Sequence, residues 1–298
     1  GGWFGHTTGR TGERVVTELV AGRPTAIAAD VVRYIAPNPG MMTGPGTNGY
    51  LIGRESLTMI DPGPANPEHV DALVAYADGR LDKILVPHTR RDHSPAALAL
   101  AKRTGATVYG MLPPATPEND QHFAPDVVIE HDQVISCGEH EIQALHTPGH
   151  ASNHVCFLLR ANGMLFTGDH IMNGSTVVIA APDGNMREYL ASLEMLKRYE
   201  PVSIAPGHGA VLDDPIGVID WIVAHRLERE AKVRDRFRQL APCTVATLLP
   251  SVYDEVDPRL LPIARYSLVA HLEKLREDGE IEVLEDEWHW VGQDDVTP

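Results

Sequence analysis

His88-Thr89-Arg90-Arg91-Asp92-His93 follows directly on Lys83-Ile84-Leu85-Val86, an aliphatic run that reads as a strand. A strand end projects side chains into a shared crevice, and loops carried on a rigid scaffold are where chemistry concentrates. The same arrangement recurs downstream in His146-Thr147-Pro148-Gly149-His150, in Phe166-Thr167-Gly168-Asp169-His170 and in Pro206-Gly207-His208-Gly209. Each places a His or Asp beside a glycine at a strand terminus, where glycine permits close backbone approach and positive φ. Imidazole nitrogen and carboxylate oxygen are the usual ligands of zinc, iron and manganese in catalytic sites. Taken singly, a histidine is more often an ordinary surface or core residue, and Asp61-Pro62-Gly63 is more often just a turn.

Outward from this segment, short β-branched runs alternate with helical stretches. Residues 31–35, 50–52, 57–60, 83–86 and 107–109 read as strands, with helices at 69–77 and 95–103, the second with Ser94 as its N-cap. A second series follows, with strands at 142–146, 154–159, 164–167, 176–179 and 202–205 and a helix at 186–198. Two strand-rich halves with interspersed helices close most naturally as a layered helix-sheet-sheet-helix sandwich, an α/β architecture. After residue 212 the spacing turns helical, at 216–240, from 245 and at 260–276, and then come two alternating runs at 281–284 and 288–291. Helices followed by a hairpin have the pattern of a winged-helix module. The expected division is a domain at 1–212 and a linking helix with winged helix at 213–298.

Composition bounds the rest. The chain has 298 residues with 43% hydrophobic and 22% charged, usage that suits a globular fold rather than disorder. No stretch approaches the ~18 uninterrupted apolar residues of a membrane span, and Gly1-Gly2-Trp3-Phe4-Gly5-His6 lacks the basic start and apolar run of a signal peptide. A cytoplasmic protein is expected. Cys137, Cys156 and Cys243 are too scattered for a disulfide framework or a Cys-rich zinc site, and read as buried thiols. A net charge of −16 repels polyanions, so nucleic acid is disfavoured, with RNA left open.

In this order the constellation resembles the metallo-β-lactamase-fold hydrolase superfamily over roughly residues 30–212: Asp61, the segment 88–93 in place of H-x-H-x-D-H, His150, Asp169 and His208. Ala36-Pro37-Asn38-Pro39-Gly40, Thr43-Gly44-Pro45-Gly46-Thr47-Asn48 and the two PGH turns look like the subgroup with a C-terminal winged helix, which includes a mitochondrial endoribonuclease. The resemblance implies an αββα sandwich. It also implies a first metal site from His88 and His150 and a second from Asp92, His93 and His208, with Asp169 bridging. The family's second histidine is here Arg90, a guanidinium with no lone pair to give, which weakens the first site.

Three outcomes are open. A single ion at the complete second site, zinc with iron or manganese left open, with a bound water that Asp92 orients, gives metal-assisted hydrolysis of an ester, thioester, lactone or phosphoester. Alternatively His88, His150 and Asp169 form the two-His, one-carboxylate triad of a mononuclear iron enzyme, as in persulfide dioxygenases of the same superfamily. Thirdly, Arg90 pairs with Asp92 or Asp169 and the chain is a degenerate, weakly metal-binding or regulatory member. Asp61 is expected to fix a histidine tautomer from behind the ligands, and Arg90 to bind an anionic group of the substrate. His146, His154 and His170 are given no metal role.

The winged helix is a poor reader of DNA, because residues 277–298 hold nine acidic side chains and no Lys or Arg. A packing module that caps the catalytic domain or supports a homodimer is the expected role. The basic run Arg226, Arg229, Lys232, Arg234, Arg236 and Arg238 reads as a solvated, salt-bridged face.

Overall fold

The computed structural model describes residues 18–291. The reading of residues 1–6, and Asp294 and Asp295 of the acidic run, lie outside these described residues. Chain contacts divide it into two compact units, one of residues 18–147, 153–177 and 200–215, the other of residues 148–152, 178–199 and 216–291.

The first unit begins with β1 (Pro24–Ala28), β2 (Val31–Ile35), β3 (Asn48–Ile52) and β4 (Leu57–Ile60), paired in sequence order and antiparallel. Helix α1 (Pro67–Ala77) then returns the chain to β5 (Leu81–Leu85), and α2 (Ala96–Thr104) returns it to β6 (Thr107–Gly110) and β7 (Val127–Val128), all parallel to β4. The second sheet has the order β12-β11-β10-β9-β8, from β8 (Val134–Cys137), β9 (His140–His146), β10 (Val155–Leu159), β11 (Met164–Gly168) and β12 (Ser203–Pro206); only β11 and β12 run parallel.

Alternation along β3 sorts the layers. Tyr50 and Ile52 face the second sheet and pack with Ile142, Phe157 and Phe166, while Leu51 points the other way onto Val70 and Leu73 of α1 and Leu100 of α2. All five β3 residues are therefore buried, as a strand between a helix layer and a sheet must be. Tyr50 meets Phe166 across the sheets at 4.9 Å between ring centroids, a tilted aromatic pair.

Each sheet thus holds a parallel pair, β4 with β5 and β11 with β12. Parallel strands share a carboxyl end, and the residues that follow them are delivered to a common edge. Asp61 follows β4, 88–93 follow β5, Asp169 follows β11, and His208 follows β12.

The second unit contains α3 (Met186–Leu196), α4 (Pro215–Leu240), α5 (Val245–Val252), α6 (Leu261–Glu277) and the hairpin β13 (Ile281–Leu284) with β14 (Glu287–Trp290). Its core joins Val233 and Phe237 of α4, Leu248 of α5, Leu268 and Leu272 of α6, Ile281 and Trp288.

Several local expectations change. Ser94 does not cap α2: the cap position is Pro95 with no side-chain hydrogen bond, and Ser94 Oγ reaches Asp120 Oδ2 at 3.3 Å. Residues 176–179 join no ladder, although Val177 and Ile179 are buried, because the apolar pair serves packing rather than strand pairing. Helix α1 starts two residues earlier than its periodicity suggests, with Asn66 Oδ1 accepting from the backbone of Glu68 and His69. Strands β1 and β8 carry too mixed an alternation to be read from sequence.

The basic run of α4 is salt-bridged as expected, apart from the buried Arg226: Arg229 pairs with Glu255 and Lys232 with Asp254 and Glu255, Arg234 takes Glu280 in a two-point grip, and Arg238 lies 4.4 Å over the Trp290 ring. Glu230 is buried beside Lys274 and Arg234, and against that burial His271 and Lys274 hold its carboxyl down at about 2.

Phe157 is fully buried between the two sheets. Phe157→Ala is expected to cost about 3–5 kcal/mol, read as a lowered urea midpoint; a loss under ~1 kcal/mol would show that the inter-sheet layer does not carry the first unit.

Candidate metal centre

Asp61 is the first residue past β4 and adopts φ 60°, a left-handed conformation that Asp tolerates better than most residues. Backbone bonds tie this turn to the 88–93 segment: Gly63 N donates to His93 O at 2.9 Å, and Ala96 N donates to Gly63 O at 3.0 Å. Within the segment the carbonyl of Arg90 accepts from the amides of His93 and Ser94 at 3.0 and 3.2 Å, a tight turn that swings Asp92 and His93 to one side.

Four donor atoms meet there. His93 Nε2 is 3.4 Å from both Asp92 Oδ2 and Asp169 Oδ1; His208 Nε2 is 3.4 Å from Asp92 Oδ2 and 3.3 Å from Asp169 Oδ1. These separations exceed the ~2.7–2.9 Å of a charge-assisted hydrogen bond. They equal the ~3.3–3.4 Å edge of a tetrahedron whose corners lie ~2.0–2.1 Å from one ion. The donor set, two imidazoles and two carboxylates, suits zinc, iron or manganese.

The rings are fixed in the tautomer that a cation needs. His93 Nδ1 donates to Asp61 Oδ2 at 2.7 Å and His208 Nδ1 donates to the Gly46 carbonyl at 3.2 Å. Both partners only accept, so the proton sits on Nδ1 and the Nε2 lone pair faces the carboxylates.

Charge makes the same point. Burial lowers the His93 imidazole, but Asp61, Asp92 and Asp169 outweigh it and hold the ring well above its usual value. Burial likewise opposes His208, and Asp169 and Asp92 raise it. Asp92 is lowered far below the carboxylate range by His93 and His208 against its own burial, while burial pushes Asp61 up to about 6 despite His93. Two carboxylates facing each other over two imidazoles require positive charge between them, either protons or a cation.

The backbone leaves room for nothing larger. A methyl added at Gly207 would lie 3.0 Å from Asp169 Oδ1 and from the Gly168 carbonyl. The 206–209 turn is pinned from β3: Asn48 Nδ2 donates to the carbonyls of Pro206 and Gly209, and Tyr50 OH donates to Pro206 at 2.7 Å. Sequence reading gave Gly46, Asn48 and Tyr50 no part in the site; the Gly-Thr-Asn run that ends one strand loop was the available signal.

Of the other expected residues, His88 is buried with its ring 4.3 Å from that of His93, and it offers a nitrogen within 4.8 Å of an Asp169 oxygen. The His154 ring lies 5.0 Å from that of His88, tilted by 33°, and the His170 ring 5.6 Å from that of His154; neither belongs to a donor group. Arg90 is partly exposed, bridged through its backbone to Asn119, and is not a donor. His150 belongs to the second unit, where it is buried and its Nδ1 donates to the Val178 carbonyl at 2.7 Å. A separate group, Asp30, Glu139 and His140, is bridged by Arg54, whose Nε lies 3.1 Å from Asp30 and 3.7 Å from Glu139.

The metallo-beta-lactamase superfamily profile matches residues 42–208, and that of the beta-lactamase associated winged helix domain matches residues 244–290. A beta-lactamase-like protein 2 homolog of Drosophila melanogaster is 30% identical over 274 residues, covering 87% of this chain and 92% of its own. An atrochrysone carboxyl ACP thioesterase of a Cryptosporiopsis strain is 28% identical over 274 residues, with 86% and 82% covered. Among solved structures, a beta-lactamase domain protein from Burkholderia ambifaria superposes with a TM-score of 0.76 at 19% identity, covering 93% of this chain and 96% of that one. A metallo-beta-lactamase family protein from Thermus thermophilus gives 0.73 at 18% identity, covering 89% and 100%. The expected α/β sandwich with a C-terminal winged helix is thus the fold of the chain, and a cluster of His and Asp donors at strand ends is what a superfamily that usually binds metal ions requires. The chain belongs to the metallo-beta-lactamase superfamily, in the branch that carries the associated winged helix.

Proposed function

We propose that this protein is a metal-dependent hydrolase of acyl thioesters or related esters, built on one divalent ion, zinc in the first place, held by Asp92, His93, Asp169 and His208. The observation that carries this reading is the 3.3–3.4 Å separation of each imidazole Nε2 from both carboxylates, with both Nδ1 protons already engaged. A bound ion of this kind lowers the pKa of its water toward neutrality and polarises a carbonyl oxygen.

The chain's own groups have separable tasks. Asp61 holds the His93 ring in orientation and keeps its Nε2 electron-rich. Asp92, whose side chain is 32% exposed while His93 is sealed, is the ligand that reaches solvent and orients the attacking water. Arg90, in the same turn and partly exposed, supplies a permanent positive charge for an anionic group of the substrate. His88 and Asp169, with His150 added by the family resemblance, form the set for a further ion, which the Arg90 charge disfavours. The thioester preference rests on relatives named as ACP thioesterases, and the net charge of −16 argues against RNA.

Protein purified without added metal is expected to hold about one equivalent of zinc, iron or manganese per chain. It should hydrolyse members of a thioester panel in preference to lactones, phosphodiesters and single-stranded RNA, and lose that activity on chelation. Metal at a small fraction of an equivalent, unrestored by addition, would overturn the proposal in favour of a non-catalytic member. Asp61→Asn is expected to weaken metal binding about 10–100-fold in a chelator competition with little change in secondary structure. Arg90→His should raise the metal stoichiometry toward two; unchanged stoichiometry would show that Arg90 is not what limits the second ion.

A further inference from the structure

His69 of α1 is 2% exposed and belongs to no donor group of the metal centre. Its Nε2 lies 2.9 Å from the carbonyl oxygen of Pro62. A carbonyl only accepts, so the ring carries its proton on Nε2 and donates it there. Burial holds the imidazole below its usual value, and its Nδ1 has no hydrogen-bond partner among the described residues. The bond to Pro62 is therefore the one polar task of a neutral ring. That ring is seated on the turn itself, since a Cβ added at Gly63 would lie 3.2 Å from His69 Nε2.

The turn is short of donors of its own. Residues 61–64 read Asp-Pro-Gly-Pro, and neither proline has an N–H. Asp61, Pro62 and Gly63 are buried, and the left-handed φ of 60° at Asp61 is a conformation that the surroundings must hold. Asp61 N donates to Leu85 O at 3.0 Å, Gly63 N to His93 O at 2.9 Å, and Ala96 N to Gly63 O at 3.0 Å. These bonds tie the turn to β5, to His93 and to the start of α2, and they leave the Pro62 carbonyl to a side chain. A buried carbonyl needs a partner. Helix α1 supplies it from a fixed base, because Asn66 Oδ1 accepts from the amides of Glu68 and His69 and locks the first turn of the helix.

The carboxylate that precedes Pro62 is the one that matters to the centre. Asp61 Oδ2 accepts from His93 Nδ1 at 2.7 Å, while His93 Nε2 faces Asp92 and Asp169. Turning the Pro62–Gly63 peptide would carry Asp61 with it, and a misplaced acceptor behind a ligand is felt as lost metal affinity. We infer that His69 is a positioning residue of the metal centre, which holds the Asp61 carboxylate on His93 by bonding the Pro62 carbonyl. The inference rests on the one-ion reading of Asp92, His93, Asp169 and His208.

The test measures zinc and Co(II) affinity by chelator competition, together with the Co(II) absorption spectrum, in His69→Phe, His69→Gln, Asp61→Asn and the double variant Asp61→Asn/His69→Phe. Phenylalanine keeps a ring and removes the donor, whereas glutamine returns an N–H. His69→Phe is expected to lose about 10-fold in affinity with an altered Co(II) spectrum, and His69→Gln to recover much of that loss. The double variant should bind no more weakly than Asp61→Asn alone. A second measurement depends on no variant: nitrogen–proton NMR correlation of the wild-type imidazoles at neutral pH should show His69 neutral with its proton on Nε2. A proton on Nδ1 overturns the inference. Wild-type affinity in His69→Phe beside a weakened Asp61→Asn does so too, as does a double variant that adds the full His69→Phe loss to that of Asp61→Asn; each of these leaves the one-ion reading standing. Wild-type protein that binds neither metal overturns that reading and the positioning role with it.

Discussion

Asp92 and Asp169 face His93 and His208 at 3.3–3.4 Å, with the Asp61 carboxylate 2.7 Å behind one ring. So many carboxylates cannot share a largely buried pocket without a compensating positive charge. Much of the first unit's construction serves that approach. Two parallel strand pairs bring four carboxyl ends to one edge, the Asp61 turn is stitched to the His93 turn by backbone bonds, and β3 reaches across to fix the turn of His208. The aromatic and aliphatic layer between the sheets holds these ends at their separation, because close-packed interiors transmit displacement rather than absorb it.

The centre was legible in the sequence where its residue types are chemically unusual at their positions. A His or Asp beside glycine at a strand end marked Asp169 and His208, the 88–93 segment after a strand marked Asp92 and His93, and the family resemblance added Asp61 of the DPG turn; these five converge. The supports of those residues are backbone carbonyls and a common amide, such as Gly46 O and the Asn48 side chain, and no residue type announces a carbonyl acceptor. The fold was legible for the same kind of reason. Strands buried on both faces read as aliphatic runs, whereas β1 and β8, exposed on alternate residues, did not stand out.

The salt-bridged character of the α4 basic run was legible, but its partners were not, because the acids that hold it, Asp254, Glu255 and Glu280, lie 22 to 46 residues away. The acidic wing is correspondingly less bare than its composition implies: Glu277, Asp278 and Glu280 are engaged, and Glu282, Glu285, Asp286 and Glu287 remain exposed. Those four still give the hairpin a negative face, which opposes a phosphate backbone.

Three of the histidines expected as metal ligands, His93, His150 and His208, differ in what anchors their Nδ1. His208 and His150 donate to backbone carbonyls, which no single substitution deletes, while His93 donates to a side chain. A carboxylate acceptor makes an imidazole more electron-donating than an amide carbonyl does. Two of the rings are thus hard-wired, and position 61 is the one dial through which a descendant lineage could retune the Lewis acidity of the centre while leaving its ligands untouched.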